Sequence, residues 1–163
     1  MKIRLAAQED LVAINKIYNQ AVNQRFCTAH LSPVSMEYRE KWFLQHVPDR
    51  YPVYVAEVDK QLYGWVSLGT YRSDRQALAH VGEVSYFVDE NRRGEGVGSK
   101  LLEHAIAVAP RCSLTVLIAI LLDKNPASIA LLEKFGFSRW GAMPGIAIIG
   151  DEMADHLYYG LKL

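Results

Sequence analysis

An excess charge, a supply of cysteine and a long apolar run are all missing from this chain, and each shortage closes off a class of function. Eighteen Lys and Arg balance eighteen Asp and Glu over 163 residues, so the formal net charge is zero. Nothing general therefore draws in nucleic acid or an anionic membrane surface. Cys27 and Cys112 are the only cysteines, too few for a disulfide framework and without zinc spacing. His30, His46, His80, His104 and His156 are scattered rather than paired at ligand intervals, so no metal is expected. The longest apolar stretch, Leu114 to Leu122, falls far short of the ~20 residues that cross a bilayer. The opening Met1-Lys2-Ile3-Arg4-Leu5 turns polar at Gln8-Glu9-Asp10, unlike the apolar heart of a signal peptide. The expected home is the cytoplasm.

What is present suits one domain over residues 1–163. Half the residues are hydrophobic, and a domain of this size buries roughly 68–70% of its unfolded surface. Residues 2–5 read as a strand. From Glu9 to Val22, Leu11, Ile14, Tyr18 and Ala21 recur at helical steps, with acids in the first turn. Ser35 caps a second helix that turns Tyr38, Trp42 and Phe43 inward and ends before Pro48. The period then changes to that of strands at Pro52–Val58, Gln61–Gly69 and His80–Asp89, the first two joined by a turn at Asp59-Lys60. Val97, Leu101, Leu102, Ala105 and Val108 stripe a third helix, Leu114–Leu122 is a buried central strand, and Asn125–Phe135 is a fourth helix stopped by Gly136. Strands at 137–141 and about 152–162 close the sheet. The order predicts a mixed α/β sheet.

The most informative segment runs Val88-Asp89-Glu90-Asn91-Arg92-Arg93-Gly94-Glu95-Gly96-Val97-Gly98-Ser99. It joins a strand to a helix, with glycines where the helix begins. Backbone without Cβ atoms approaches a ligand closely, and first-turn N–H groups together with the helix dipole favour phosphate oxygens. A P-loop needs Gly-Lys-Ser/Thr at its end, but here the order is Gly98-Ser99-Lys100. A dinucleotide fingerprint starting at Gly94 needs glycine at its sixth position, where Ser99 stands. What remains is Arg-x-x-Gly-x-Gly from Arg93 to Gly98. A ligand-free glycine turn would satisfy the same letters, and Arg92 and Arg93 singly read as solvated charges.

Together with its surroundings the loop resembles the pyrophosphate site of the GNAT superfamily of N-acetyltransferases. A second signature is Asn125-Pro126-Ala127-Ser128-Ile129 followed by Leu132-Glu133-Lys134-Phe135-Gly136-Phe137. The likeness narrows to the phosphinothricin and methionine sulfoximine or sulfone acetyltransferases. It is carried by Ile3–Leu11 with Ile17–Val22, by Tyr54–Val58 with Gly64 and Gly69, and by Glu83-Val84-Ser85-Tyr86-Phe87-Val88. The resemblance covers essentially the whole chain. It implies a mostly antiparallel sheet of six to seven strands flanked by about four helices. It also implies acetyl-CoA as co-substrate, a small-molecule amine as acceptor and a homodimer.

The resemblance further assigns roles. Glu83 stands where such enzymes carry a general base, and burial or a relaying water would suit it to that task, since glutamate at its ordinary pKa of ~4.3 is a weak base. Pairing with a surface cation is the plainer reading of the same residue. Tyr86, Phe87 and Val88 would bond the pantetheine and acetyl oxygen through their backbone. Arg93, Gly94, Glu95, Gly96, Val97, Gly98 and Ser99 would hold the pyrophosphate, and Asn125 the pantetheine arm or simply the helix cap. Arg72, flanked by Tyr71 and Ser73, occupies the substrate-loop segment and suits a carboxylate; with Glu83, Val84 and Ser85 it completes the expected acceptor site. Phe26 and Thr28 are further candidates for the pocket.

Several positions depart from the pattern. Leu132 replaces the tyrosine that serves many superfamily members as general acid, which leaves Tyr158 or Tyr159, or unaided departure of the thiolate. Met153 and Ala154 replace a tryptophan and a histidine, Asp155 keeps an acidic position, and Met143–Gly150 reads as an Ile-rich loop. A protein or peptide amine as acceptor, and a module that binds acyl-CoA without catalysis, are the competing readings.

Overall fold

The computed structural model describes residues 1–163. Seven strands form one sheet: β1 (Lys2–Leu5), β2 (Val53–Val58), β3 (Gln61–Thr70), β4 (Val81–Val88), β5 (Val116–Leu122), β6 (Ser138–Ile149) and β7 (Glu152–Lys162). Four α-helices flank it: α1 (Leu11–Asn23), α2 (Met36–Leu44), α3 (Val97–Val108) and α4 (Pro126–Lys134). The spatial order is β1-β2-β3-β4-β5-β7-β6. Every pairing is antiparallel except β4 with β5. This is the mixed α/β sheet expected from the sequence.

The larger core packs α3 and α4 onto one face through Leu101, Leu102, Ala105, Leu114, Leu117, Leu132 and Tyr159. A smaller core packs α1 onto the other face through Leu11, Ile14, Ile17 and Val55 around Trp65. The turn between β2 and β3 holds Asp59 and Lys60 both at positive φ, the geometry of a tight hairpin.

Three local expectations change. The acids Glu9 and Asp10 sit in a 3₁₀ turn that precedes α1, where Asp10 accepts from the Ala7 N–H and pairs with Arg4 at 2.7 Å. In α2, Ser35 accepts from the Tyr38 N–H as a cap, but Tyr38 is 46% exposed while Arg39 is 2% exposed. Aromatic faces explain the inversion: the Arg39 guanidinium lies 4.5 Å from the Tyr18 ring centroid and 4.6 Å from that of Trp42. Finally, the segment around Met143–Gly150 is not a loop, because β6 runs through to Ile149. Its register with β7 slips between Met143 and Ala147, which ejects Pro144 and Gly145 as a bulge. The Gly145 N–H donates to Asp155 Oδ1 at 2.8 Å, so Asp155 holds that bulge.

Candidate active site

The site begins with a sheet that comes apart. β4 and β5 pair only at Val81–Val116, Gly82–Leu117 and Glu83–Ile118. Beyond Glu83 the strands part, and β4 runs on to Val88 without β5 beside it. Pairing with β3 continues unbroken from Gly82 to Val88, so side chains alternate faces cleanly along this stretch. Glu83, Ser85 and Phe87 share one face, and Val84, Tyr86 and Val88 the other.

On the first face lies a cavity of about 390 Å³. Glu83, Ser85 and Phe87 form one wall, Ile120–Leu122 and His156 another, and Tyr18, Arg39, Trp42 and Trp65 the floor and far side. Cys27, Thr28 and Ala29 form its lip. Glu83 stands at the vertex of the splay, and burial alone raises its carboxyl above the ordinary 4.5. No neighbouring charge or hydrogen bond offsets that rise. A carboxylate so placed holds a proton more firmly than a surface glutamate, which moves it towards the range where a general base works.

The lip is tied down rather than loose. Arg25 and Phe26 both occupy the left-handed region at φ 47 and 57, an arrangement that persists only where surroundings enforce it. Here Arg25 Nη2 donates to Ile149 O at 2.8 Å and pairs with Glu152 at 3.2 Å, while Lys124 stacks over the Phe26 ring at 4.8 Å. The Tyr18 hydroxyl bonds Thr28 at 2.8 Å and also His30 Nδ1. Burial pushes the Tyr18 phenol up, so it stays neutral.

The opposite side of the splay is a groove of about 550 Å³. Tyr86, Phe87 and Val88 line it together with Arg93, Gly94, Gly96, Val97, Gly98, Ser99 and Asn125. Gly94 and Gly96 take φ 80 and 77 with no atom within 4 Å of where a Cβ would stand. That is bare backbone facing open space at the start of α3, where Val97 begins the helix. Gly98 serves packing instead, since its Cβ would come within 3.1 Å of Leu131 on α4. Asn125 caps α4 by accepting from the Ser128 N–H at 3.2 Å. Tyr86 donates to Ser128 O at 3.3 Å and meets its Oγ at 2.8 Å; burial pushes its pKa up to about 12. Three cations, Arg92, Arg93 and Lys134, rim the groove. Free amides at a helix start with cations around them suit a diphosphate. Cys27 and Phe87 line both spaces, so the groove and the cavity meet at the splay.

Other expected site residues stand elsewhere. Glu95 pairs with Arg92 at 3.7 Å outside the groove wall. Val84 is buried in the larger core, facing away from Glu83. Arg72 and Ser73 are exposed, and with Tyr71 they lie outside the cavity wall; Arg72 stacks on Tyr71 at 5.5 Å. Thr28 lines the lip, whereas Phe26 packs against Leu122, Ile149 and Ala154. Leu132 is 1% exposed, and the buried Tyr159 donates to Glu133 at 3.1 Å. Neither Tyr158 nor Tyr159 lines either space. Sequence reasoning missed Arg39, His156 and Lys134. Of these, only Lys134 carried a signal, as a cation in the last turn of a helix whose start already pointed to the groove. No group of three or more His, Cys, Asp or Glu side chains is arranged to hold a metal, and no helix is long and apolar enough to cross a membrane.

Comparison with known proteins gives the chain a family and a fold. The family model described as "Acetyltransferase (GNAT) family" matches residues 15–137. YwnH of Bacillus subtilis (strain 168), provisionally named a phosphinothricin acetyltransferase, is 40% identical over 100% of this chain and 99% of its own. An L-methionine sulfoximine/L-methionine sulfone acetyltransferase of Salmonella typhimurium is 32% identical over 100% of this chain and 95% of its own. A GNAT superfamily phosphinothricin acetyltransferase from Sinorhizobium meliloti, solved in complex with acetyl-CoA, superposes with a TM-score of 0.93 at 25% identity, covering 99% of this chain and 88% of that one. A ribosomal-protein-alanine N-acetyltransferase from Brucella melitensis superposes with a TM-score of 0.94 at 34% identity over 100% of both chains.

Proposed function

The chain belongs to the acetyltransferase (GNAT) family, and from that premise we propose that it moves an acetyl group from acetyl-CoA to the primary amine of an amino acid or close analogue, with Glu83 as general base. The observation that carries this reading is the half-buried, unpartnered Glu83 at the point where the groove and the cavity meet. The groove fits coenzyme A: amides of Val97, Gly98 and Ser99 with Arg92 and Arg93 suit the diphosphate, and the exposed edge of β4 at Tyr86–Val88 suits the pantetheine amides. The cofactor supplies an activated acetyl thioester. The chain's own residues orient the acceptor and take its proton.

An ammonium has no lone pair, so the acceptor must lose a proton before it attacks the thioester carbon. Glu83 Oε takes that proton, either directly or through one water. Nitrogen then bonds to the acetyl carbon, the carbon–sulfur bond breaks to release the thiolate, and the nitrogen's second proton passes to that thiolate or to water, leaving a neutral amide. A strand N–H of β4 aimed at the carbonyl oxygen would contribute about 2.7–4 kcal/mol, on the scale of known oxyanion donors. A thiol of ordinary pKa ~8.5 leaves readily near neutral pH, so Leu132 in place of a proton-donating tyrosine is no obstacle.

Relatives named for methionine sulfoximine, methionine sulfone and phosphinothricin favour a small amino-acid-like acceptor. The cytoplasm and a homodimer complete the reading, the latter supported by the apolar outer face of the β6–β7 hairpin, where Ile146, Ile148 and Met153 are 57%, 60% and 65% exposed. A protein N-terminus is the second reading, favoured by the Brucella structure. Thiol release from acetyl-CoA decides between them. Turnover with methionine sulfone or sulfoximine is expected, and turnover with peptides alone would overturn the small-molecule assignment. Glu83→Gln should lower kcat at least tenfold while acetyl-CoA affinity holds nearly constant; an unchanged rate removes Glu83 from the mechanism.

A further inference from the structure

The cavity wall contains a second charged group that its surroundings leave unanswered. Arg39 is 2% exposed and lines the same space as Glu83. Only one hydrogen bond ties its side chain, from Nε to Asn15 Oδ1 at 3.3 Å. Nη2 is buried with no partner. No carboxylate of the chain pairs with it.

Its charge is met instead by ring faces, Tyr18 at 4.5 Å, Trp42 at 4.6 Å and Trp65 at 5.5 Å from the guanidinium carbon. Those contacts hold the planar group rigidly and stabilise its charge without using its N–H donors. A buried guanidinium with donors to spare is costly unless a ligand uses them. Its planar fork matches a carboxylate in geometry and in sign. Arg72, the other arginine suited to that task, stands exposed outside the wall.

Resting on the acetyltransferase reading above, we propose that Arg39 receives the α-carboxylate of the acceptor while Glu83 receives its amine, so that the cavity selects a free amino acid by its two charges. Opposite unpaired charges lining one cavity of about 390 Å³ fit a small zwitterion. They disfavour a peptide N-terminus, whose neighbouring carboxyl is tied up in an amide. They equally disfavour a simple alkylamine, which would leave the guanidinium unanswered.

The test compares L-methionine sulfone with 3-(methylsulfonyl)propan-1-amine, the same chain without its carboxylate, by thiol release from acetyl-CoA. The wild-type enzyme should prefer the amino acid by at least tenfold in kcat/KM. Arg39→Met should collapse that preference at least tenfold, mainly through KM for the amino acid, and Arg39→Lys should recover part of it. Equal losses on both acceptors would mark Arg39 as structural and overturn the proposal. So would a preference that collapses in Arg72→Ala but survives in Arg39→Met. If Arg39→Met does not fold, Arg39→Lys and the wild-type preference carry the test: a wild-type enzyme that acetylates both compounds alike overturns the Arg39 assignment and leaves the acetyltransferase reading standing. Acetyl-CoA binding without turnover of either compound overturns the reading itself and the assignment with it.

Discussion

Glu83 illustrates how one residue can oppose stability and serve chemistry at once. Burial raises its pKa in the fold above the ordinary 4.5, so the folded protein binds that proton more tightly than the unfolded chain. Stability from this group is therefore greatest below the unfolded pKa and declines as pH rises from there through the folded value. Two results follow. On the acid side, kcat/KM should fall with an inflection displaced upward from 4.5, because the protonated form cannot accept a proton, and Glu83→Gln should lose that inflection. The same variant should melt at or above the wild-type temperature at neutral pH, since it no longer buries a charge. A glutamate held by a surface cation would behave oppositely on both counts, with a lowered pKa and a destabilising Gln substitution. Melting curves and pH–rate profiles on the two proteins decide between them.

At the level of elements, the position of the site follows from how tightly β3 and β4 are held while β4 and β5 are allowed to part. Gly64 is the closest point of the first pair: a Cβ there would lie 2.7 Å from the Phe87 carbonyl oxygen and 3.0 Å from Leu101 Cδ1. The backbone oxygen cannot yield without moving the strand. Gly64→Ala should cost about 2 kcal/mol as overpacking, or about 4–8 °C in Tm for a domain of this size. Because Phe87 lines both groove and cavity, KM for acetyl-CoA should rise as well; thermal melts and cofactor titration check both effects. These strands, and the glycines that start α3, were legible from the chain because period and turn chemistry act locally. The burial of Arg39 was not. A charged residue inside an aromatic box reads as surface until α1 and β3, distant in sequence, bring Tyr18 and Trp65 beside Trp42 of its own helix. Likewise Pro144-Gly145 reads as a loop because nothing local shows that Asp155 will hold it as a bulge.

Across the whole molecule the sheet ends asymmetrically, and that asymmetry bears on assembly. β1 closes one edge as a strand of four residues, too short to template much pairing. The other edge is the twelve-residue β6, and its two faces differ. Ala147 and Ile149 pack inward around Leu122 and Ala154. Ile146 and Ile148 alternate outward, and Met153 stands directly opposite Ile148 in the ladder, so the three share one exposed face. These three side chains give the hairpin an apolar patch of the kind that marks a contact surface. The hairpin is also tied to the active-site lip through Arg25, which bonds Ile149 O and Glu152; a subunit seated there would stiffen the cavity entrance. In sedimentation equilibrium the wild-type protein should run at twice the 18.4 kDa chain mass. Ile148→Asp combined with Met153→Asp should shift it to the monomer, because two carboxylates on each chain would face one another across a desolvated contact. Both side chains are largely solvent-exposed in the single chain, so the monomeric variant should keep its fold and its acetyl-CoA binding while KM for the acceptor rises. A variant that stays dimeric would place the contact on another face of the sheet.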